Sequence, residues 1–460
     1  MVRASAPAEK AGIPSASLVC EGFVQQGIAT GAGLGLRNLP MVPYPGQIMS
    51  HSLDELRRNV ETAIADQVVR SLTVQPAVDG GSVAEPGPAD TIFRGSFEEV
   101  NAYFYANGWT DGLPIVPPTI RKVEEFLKFA ARPATGSLGS LLPDKREATI
   151  WNVAVNGVMA GCRPEYMPVL VALVEAMADP AFGLEHLGHT PGTEVLITIN
   201  GPIVKELGFN DEQGALRTGF QATSSIGRFW RLYLTNVAGF LPHKTDKGTF
   251  GGTWRVVLAE NEDALRKIGW PPMSVDQGFQ AGDNVVTVNS CTSSDVLFAV
   301  FGVGQTNAES ILDRLAIRTV DIQIYLFNLA LLGPGRLRPQ IVLSPCVADA
   351  IARGGYSKAA VRDYLYQHAR FPASRWDKLR VVRPLHRGVE RGDIPRIYAE
   401  SSDPDRLVPI VWSPEDFLIT VSGDPGRDNC FICGQNGFIG YPVSKKIALP
   451  EGWNPPFAGA

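Results

Sequence analysis

No stretch of the chain reaches the ~18 uninterrupted apolar residues of a membrane-spanning helix, so no membrane is expected as a partner. Met1 to Lys10 lacks the apolar centre of a signal peptide, and a cytoplasmic location is the expectation. Charge is scarce as well: Asp, Glu, Lys and Arg make up 19% of the residues, against about 25% in an average soluble protein. So little polar surface favours burial between subunits and points to a homo-oligomer. A net charge of -5 and a pI near 5.8 leave no basic stripe to displace counterions from phosphates, which argues against nucleic acid as a partner. Cysteine is sparse, six in 460 residues, too few for a disulfide scaffold. In a reducing compartment each is a buried small hydrophobe, a ligand or a reactive thiol.

What the chain has in plenty is glycine and proline, 47 and 35 residues spread without a repeat, which means many turns and no fibrous tract. A length of 460 residues with 45% hydrophobic side chains implies a large buried core divided over two or three domains.

The first seventy residues alternate. Ala16 to Val19 and Met41 to Pro43 are short apolar runs, and Phe23 to Gly33 between them is small and helical in character. A second helix carries Leu53, Leu56, Val60, Ile64 and Val68 on one face, with Ser52 and Glu55 spaced as a capping box. This β-α-β-α unit is too small to bury its own core, so its apolar stripe is expected to dock on the rest of the chain or on a neighbouring subunit. Gly31, Gly33 and Gly35 follow the helical stretch, whereas a dinucleotide-binding turn would precede it, and they read as a glycine-rich helix exit. Residues 1–73 thus form a small lobe, 74–91 a linker, and 92–460 one large region with room for two subdomains.

In that region helices are expected around Val123 to Ala130, Tyr166 to Met177 and Ile226 to Tyr233. Strands are expected at Val195 to Ile199, Trp254 to Leu258, Val285 to Val288, Gln340 to Leu343 and Phe417 to Val421. The alternation makes the class α/β or α+β.

Cys162 is the first chemical candidate. In Cys162-Arg163-Pro164-Glu165 the proline opens a helix, so the thiol looks toward free N–H groups with Arg163 beside it, an arrangement that lowers a thiol pKa. Asn156 and Glu165 are placed to orient or protonate a substrate. Against this stands a cysteine packed under a helix start because it is small. Cys430 and Cys433 form a Cys-x-x-Cys, which can close a disulfide, clamp a metal, or lie in an extended segment with the thiols on different sides. His186 and His189, with Glu185 and the more distant His243, make a candidate zinc or iron site, although Gly188 and Pro191 argue for a loop. Cys291, in Asn289 to Asp295, reads as a strand end entering a helix cap, and Cys20 and Cys346 read as packing residues. The turns Asn200-Gly201-Pro202 and Gly248 with Gly251-Gly252 offer backbone for an anion.

The opening lobe resembles the later part of the UGSC family, redox proteins named for a U/C-Gly-Ser-Cys motif. The matching segments are Gly12-Ile13-Pro14, Gly35-Leu36, Val42-Pro43-Tyr44-Pro45 and the helix to Leu72-Thr73; no Cys-Gly-Ser-Cys is present. The remainder resembles large bacterial proteins associated with that family. Its matching segments are Asp111 to Pro114 with Pro117 to Thr119, Asn156 to Glu165, Asn200 to Pro202, Asp246-Lys247, Ser357-Lys358 with Val361-Arg362, and the strand before Ser422-Gly423. The resemblance implies a thiol-linked enzyme system, supports Cys162 and Arg163 as site residues, and brings in Asn200, Asp246 and Lys247 as substrate-binding candidates.

The leading expectation is an enzyme that turns a cysteine thiolate on a small organic substrate, by reduction or by cleavage of a carbon–heteroatom bond. A metal-dependent lyase or hydrolase built on the histidines is the alternative. A non-catalytic partner of a UGSC-type redox protein is the third.

Overall fold

In the computed structural model, the described residues are 2–74, 87, 89–251, 256–298, 308–330, 336–378, 385–435 and 440–454. Most of the linker (75–86 and 88), Gly252 and the start of the strand expected at Trp254 lie outside them.

The lobe is β-α-β-α, preceded by a helix that the sequence reading did not include, α1 (Val2–Lys10). β1 (Ser17–Cys20) and β2 (Met41–Tyr44) pair in parallel, and α2 (Val24–Gly33) makes the crossover that parallel strands require. Gly31 and Gly33 close α2, and Gly35 follows at φ 81° in the left-handed region, the glycine-rich exit that was expected.

The Ser52/Glu55 capping box is formed, with Ser52 N donating to Glu55 Oε2 at 2.7 Å. It starts α3 (Leu53–Asn59), which continues through a π-helical turn, Val60–Ile64, into α4 (Ala65–Thr73). That turn breaks the single apolar line. Ile64 is buried against Val42 and Tyr44 with Leu56 and Val68 packed alongside, while Leu53 is 72% and Val60 46% exposed.

The lobe docks through α1 and α2, and the stripe does not make the contact. Arg3 donates to Glu185 O at 3.3 Å, Gln26 Nε2 donates to Gly188 O at 3.2 Å, and a Cβ on Gly33 would overlap Pro143 O. Gly33→Val is therefore expected to pry the lobe off while the rest stays folded. Hydrogen exchange would check this: faster exchange confined to residues 2–33 is the expected result, with the strands of the large region unchanged.

In the large region α5 (Phe97–Ala106) and α6 (Ile120–Leu127) precede a hairpin of β3 (Ser137–Leu141) and β4 (Arg146–Thr149). Then come α7 (Ile150–Met159), α8 (Met167–Ala178), β5 (Glu194–Asn200), α9 (Ile203–Glu206), α10 (Gln221–Tyr233), β6 (Val257–Ala259), α11 (Glu262–Ile268) and α12 (Met273–Asp276). The second half holds β7 (Val285–Phe298), α13 (Ala308–Ala330), β8 (Gln340–Leu343), α14 (Pro345–Arg353), α15 (Lys358–His368), a short pair of β9 (Arg370–Pro372) with β10 (Leu407–Pro409), β11 (Leu418–Val421), β12 (Asn429–Gln435) and β13 (Val443–Lys446). The chain is of the α/β class.

One mixed sheet runs β11-β8-β12-β7-β5-β6, with β13 also on β7. It curls until its edges meet, where Asn261 N after β6 donates to Val421 O of β11 at 2.7 Å. The inside of this near-barrel is filled by side chains, as in other small barrels: Leu196, Leu258, Cys291, Val342 and Cys433 pack together. Gln340 Nε2 spans the interior, donating to Thr198 Oγ1 and Thr420 Oγ1 at 3.0 Å each. Two larger apolar clusters lie outside it, one around α7, α8 and α10 and one around α13, α14 and α15.

The strand expected at Val285 to Val288 runs ten residues further, to Phe298, so Asn289 to Asp295 is mid-strand and Cys291 caps no helix. Pairing with β12 over Asn429–Gln435 holds this polar stretch extended, a tertiary override of local turn preference. Among the described residues no single helix is long and apolar enough to cross a membrane.

Candidate functional site

Helix α7 is apolar except for Asn152 and Asn156, four residues apart and so on one face. Asn152 caps its own helix, accepting from Thr149 N at 3.0 Å, and also accepts from Tyr233 Oη at 2.6 Å. Asn156 Nδ2 donates to Asn152 O at 2.9 Å, and Asn236 Nδ2 donates to Asn156 Oδ1 at 2.9 Å. This amide ladder ties α7 to the π-helical turn Leu234–Ala238 that ends α10.

The ladder lines one side of an open cleft of about 1360 Å³. Trp151, Val155 and Met159 continue that side, Phe104 and Trp109 face it in T-shaped contact at 5.5 Å, and Phe93, before α5, and Phe97, at its start, line it as well. Asp90, Arg94, Lys122, Arg146 and Glu147 supply its charges. Aromatic walls with a few fixed polar groups are the usual make-up of a small-molecule pocket. Two buried atoms of lining residues, Trp151 Nε1 and Asn236 Oδ1, have no hydrogen-bond partner among the described residues. One is a donor and the other an acceptor.

The wall containing Trp109 is held by the following turn. Asp111 receives both Nε and Nη2 of Arg228, at 2.9 and 2.8 Å, and Arg228 also donates to Pro114 O at 2.8 Å. Burial alone would raise the Asp111 carboxyl, but the hydrogen bonds and charge of Arg228 together hold it below the usual range.

Cys162 follows α7 across Gly161 but does not line the cleft. It is not the low-pKa thiol expected from its position. Burial pushes it up to about 12, outweighing a hydrogen bond from Ser225 and the charge of Arg228. Arg163 is turned onto Glu165 at 3.2 Å and Glu165 is engaged in return. Of the four residues expected to act together, only Asn156 is at the cleft.

The histidines gather elsewhere and face other partners. His186 lies against the guanidinium of Arg3, 2.7 Å from Nη1, and His189 Nε2 meets Thr193 Oγ1 at 2.6 Å. His243 is exposed at a left-handed turn, where Lys247 Nζ donates to its carbonyl at 2.5 Å. Asp246 pairs with Arg231, which also holds Glu194 at 3.2 Å. Among the described residues no group of three His, Cys, Asp or Glu is placed to hold a metal ion. A cation against His186 is the physical obstacle.

Burial first, then the Arg3 charge, pushes His186 down to about 4, and burial followed by the His186 charge does the same for His189. Both are neutral when folded and titrate near 6.5 when unfolded. Their stabilising contribution is therefore complete above pH 6.5, falls as pH drops, and is gone below about pH 4. Unfolding free energies from urea titrations are expected to fall between pH 6.5 and 4.5 by an amount on the order of a few kcal/mol. His189→Gln should flatten that slope.

Asn200 is wholly buried, donating to Glu260 Oε2 at 2.5 Å, and the N–H of Gly201 is taken by Glu262 Oε1 at 2.7 Å. The anion that this turn holds is thus the chain's own carboxylate. Gly248 and Gly251 pack on Gly192, backbone against backbone. Cys430 and Cys433 alternate across β12 and do not pair with each other: Cys433 is joined to Cys291 in a disulfide, and Cys430 is a free buried thiol in the other cluster. The candidate residues therefore do not converge on one place.

The parallel pair, its α2 crossover and the capped α3–α4 helix complete the lobe as one unit. Residues 1–74 match the UGSC family model. The matching lobe contributes Arg3 and Gln26 to the contacts at His186 and Gly188, and none of its residues lines the cleft. The match stops at residue 74. No curated protein and no solved structure matches the chain.

The aromatic lining was missed in the sequence because Phe93, Phe97, Phe104, Trp109 and Trp151 follow no single period. The Asn152/Asn156 spacing on an apolar helix was the available signal.

Proposed function

We propose that this chain is an enzyme acting on a small organic substrate, seated in the cleft between α5, α6 and α7. What carries the reading is the combination of aromatic walls with a fixed amide ladder. A planar or apolar body would pack on Trp109, Phe104 and Trp151, and a group that both donates and accepts hydrogen bonds, such as an amide or a carboxylic acid, would suit the polar side. Asp90, Glu147 and Lys122 are the acid–base groups at hand. A cytoplasmic setting belongs to the same proposal. A thermal-shift screen of aromatic acids and amides tests it. Binders whose stabilisation disappears in Trp151→Leu support the reading; no binder, or binders indifferent to that substitution, sink it.

A second reading gives Cys162 the chemistry, and it is favoured by the Ser225 hydroxyl and the Arg228 charge at its thiol. Sγ would bond to a substrate carbon, the carbon–heteroatom bond would break, and the thiol proton would leave on the heteroatom. Iodoacetamide mapping with Cys162→Ser tests it: slow alkylation together with full activity of the variant removes Cys162 from the reaction.

A further inference from the structure

Outside the cleft, a second pair of cysteines lies where β8 turns into α14. β8 and the start of β12 run antiparallel, with Cys430 opposite Leu343. Just beyond, Ser344 N donates to Asn429 O at 3.1 Å, and the Cys346 thiol donates to Arg427 O at 2.8 Å. The two chain segments thus stay side by side to residue 346. Cys430 is buried in the apolar cluster of α13, α14 and α15, and Cys346 packs against that same cluster. The strand alternation that carries Cys433 to the barrel interior brings Cys430 to the side of Cys346.

Exposure differs between the two. Cys346 is half-buried in the first turn of α14, directly after Pro345. Cys430 is 2% exposed, and burial, then the neighbouring Cys346, push its thiol up.

We propose that Cys346 and Cys430 form a second disulfide when the protein meets a peroxide, making this corner of the fold an oxidation site. Cys346 Sγ attacks the peroxide, the O–O bond breaks, and a sulfenic acid forms as one water leaves. Cys430 Sγ then attacks Cys346 Sγ, the S–O bond breaks, and the Cys430 proton departs with hydroxide as a second water. Two thiols are oxidised and one peroxide is reduced to two waters. The existing Cys291–Cys433 disulfide, in the interior cluster, takes no part.

The test uses the full chain treated with hydrogen peroxide, alkylated with iodoacetamide under denaturing conditions, and digested without reductant. The expected product is a peptide containing Cys346 linked to the peptide of β12, which also holds the Cys291 peptide through Cys433, four hydrogens lighter than the sum of the three, with fragmentation between Phe431 and Ile432 placing the new link on Cys430. Cys346→Ser should lower Cys430 oxidation at least tenfold. Cys346 carried on to sulfinic acid, or linked between molecules, while Cys430 remains alkylatable, would overturn the proposal.

Discussion

Lys358→Met is expected to destabilise the protein by about 3–5 kcal/mol, the cost of removing one partner from a buried charge cluster. Lys358 is 1% exposed, its Nζ 2.8 Å from Asp276 Oδ2 and donating to Pro271 O at 2.9 Å. Asp276 retains Arg362 at 2.5 Å, but Glu260 has no such reserve. Its carboxylate is buried where the sheet edges meet, accepting from Asn200 Nδ2, Met273 N and Val421 N. Burial raises its pKa, and the charge of Lys358 is the largest influence opposing that rise. Without the lysine the carboxyl should rise further. A carboxyl raised on folding contributes stability that is lost as pH increases through its folded pKa, so the deficit of the variant should grow as pH rises above the ordinary carboxylate range. Urea unfolding at a series of pH values measures it. A loss under 1 kcal/mol, independent of pH, would mean that the cluster adds little.

Arg228→Met should have the next largest effect, about 3 kcal/mol or more, and should act on the cleft as well. The side chain of Asp111 is only 4% exposed and holds the guanidinium in a two-pronged pair. Loss of Arg228 leaves a carboxylate enclosed without its cation, so the Asp111 carboxyl should move up from its lowered value. The carbonyl of Pro114 loses its donor at the same time. Because this turn carries Trp109 toward the cleft, any ligand found for the cleft should bind more weakly even at temperatures where the variant is folded. Asp111→Asn, with Arg228 left in place, should retain more of that binding. Urea unfolding and ligand titration separate the two effects, and unchanged binding in folded Arg228→Met would uncouple the turn from the cleft.

The lobe was legible because its signals are local: the Ser52/Glu55 box, the glycines that end α2, and two short β-rich runs at crossover spacing. Its docking face was not, since five apolar residues at helical spacing do not reveal a π turn at Val60–Ile64. At the candidate site Asn156 was legible as a polar residue on an apolar helix, but its partner Asn236 lies eighty residues away. Cys162 shows the limit most clearly. Its helix-start setting argues for a lowered pKa, yet enclosure between α7, α8 and α10 decides the balance the other way.

By itself, then, the sequence determined the mixing of helices and strands, the UGSC-like lobe at its start and most element positions, because capping, periodicity and turn residues act within a few positions of the chain. Tertiary structure alone decided the closure of the sheet at Asn261 and Val421 and the length of β7. It also decided the cysteine partners, with Cys433 going to Cys291, 142 residues away. These depend on contacts between distant segments, and burial there overrides what a residue's neighbours in sequence would favour. The scarcity of charge has its counterpart in that interior, where Gln340, Thr198 and Thr420 satisfy one another without ions.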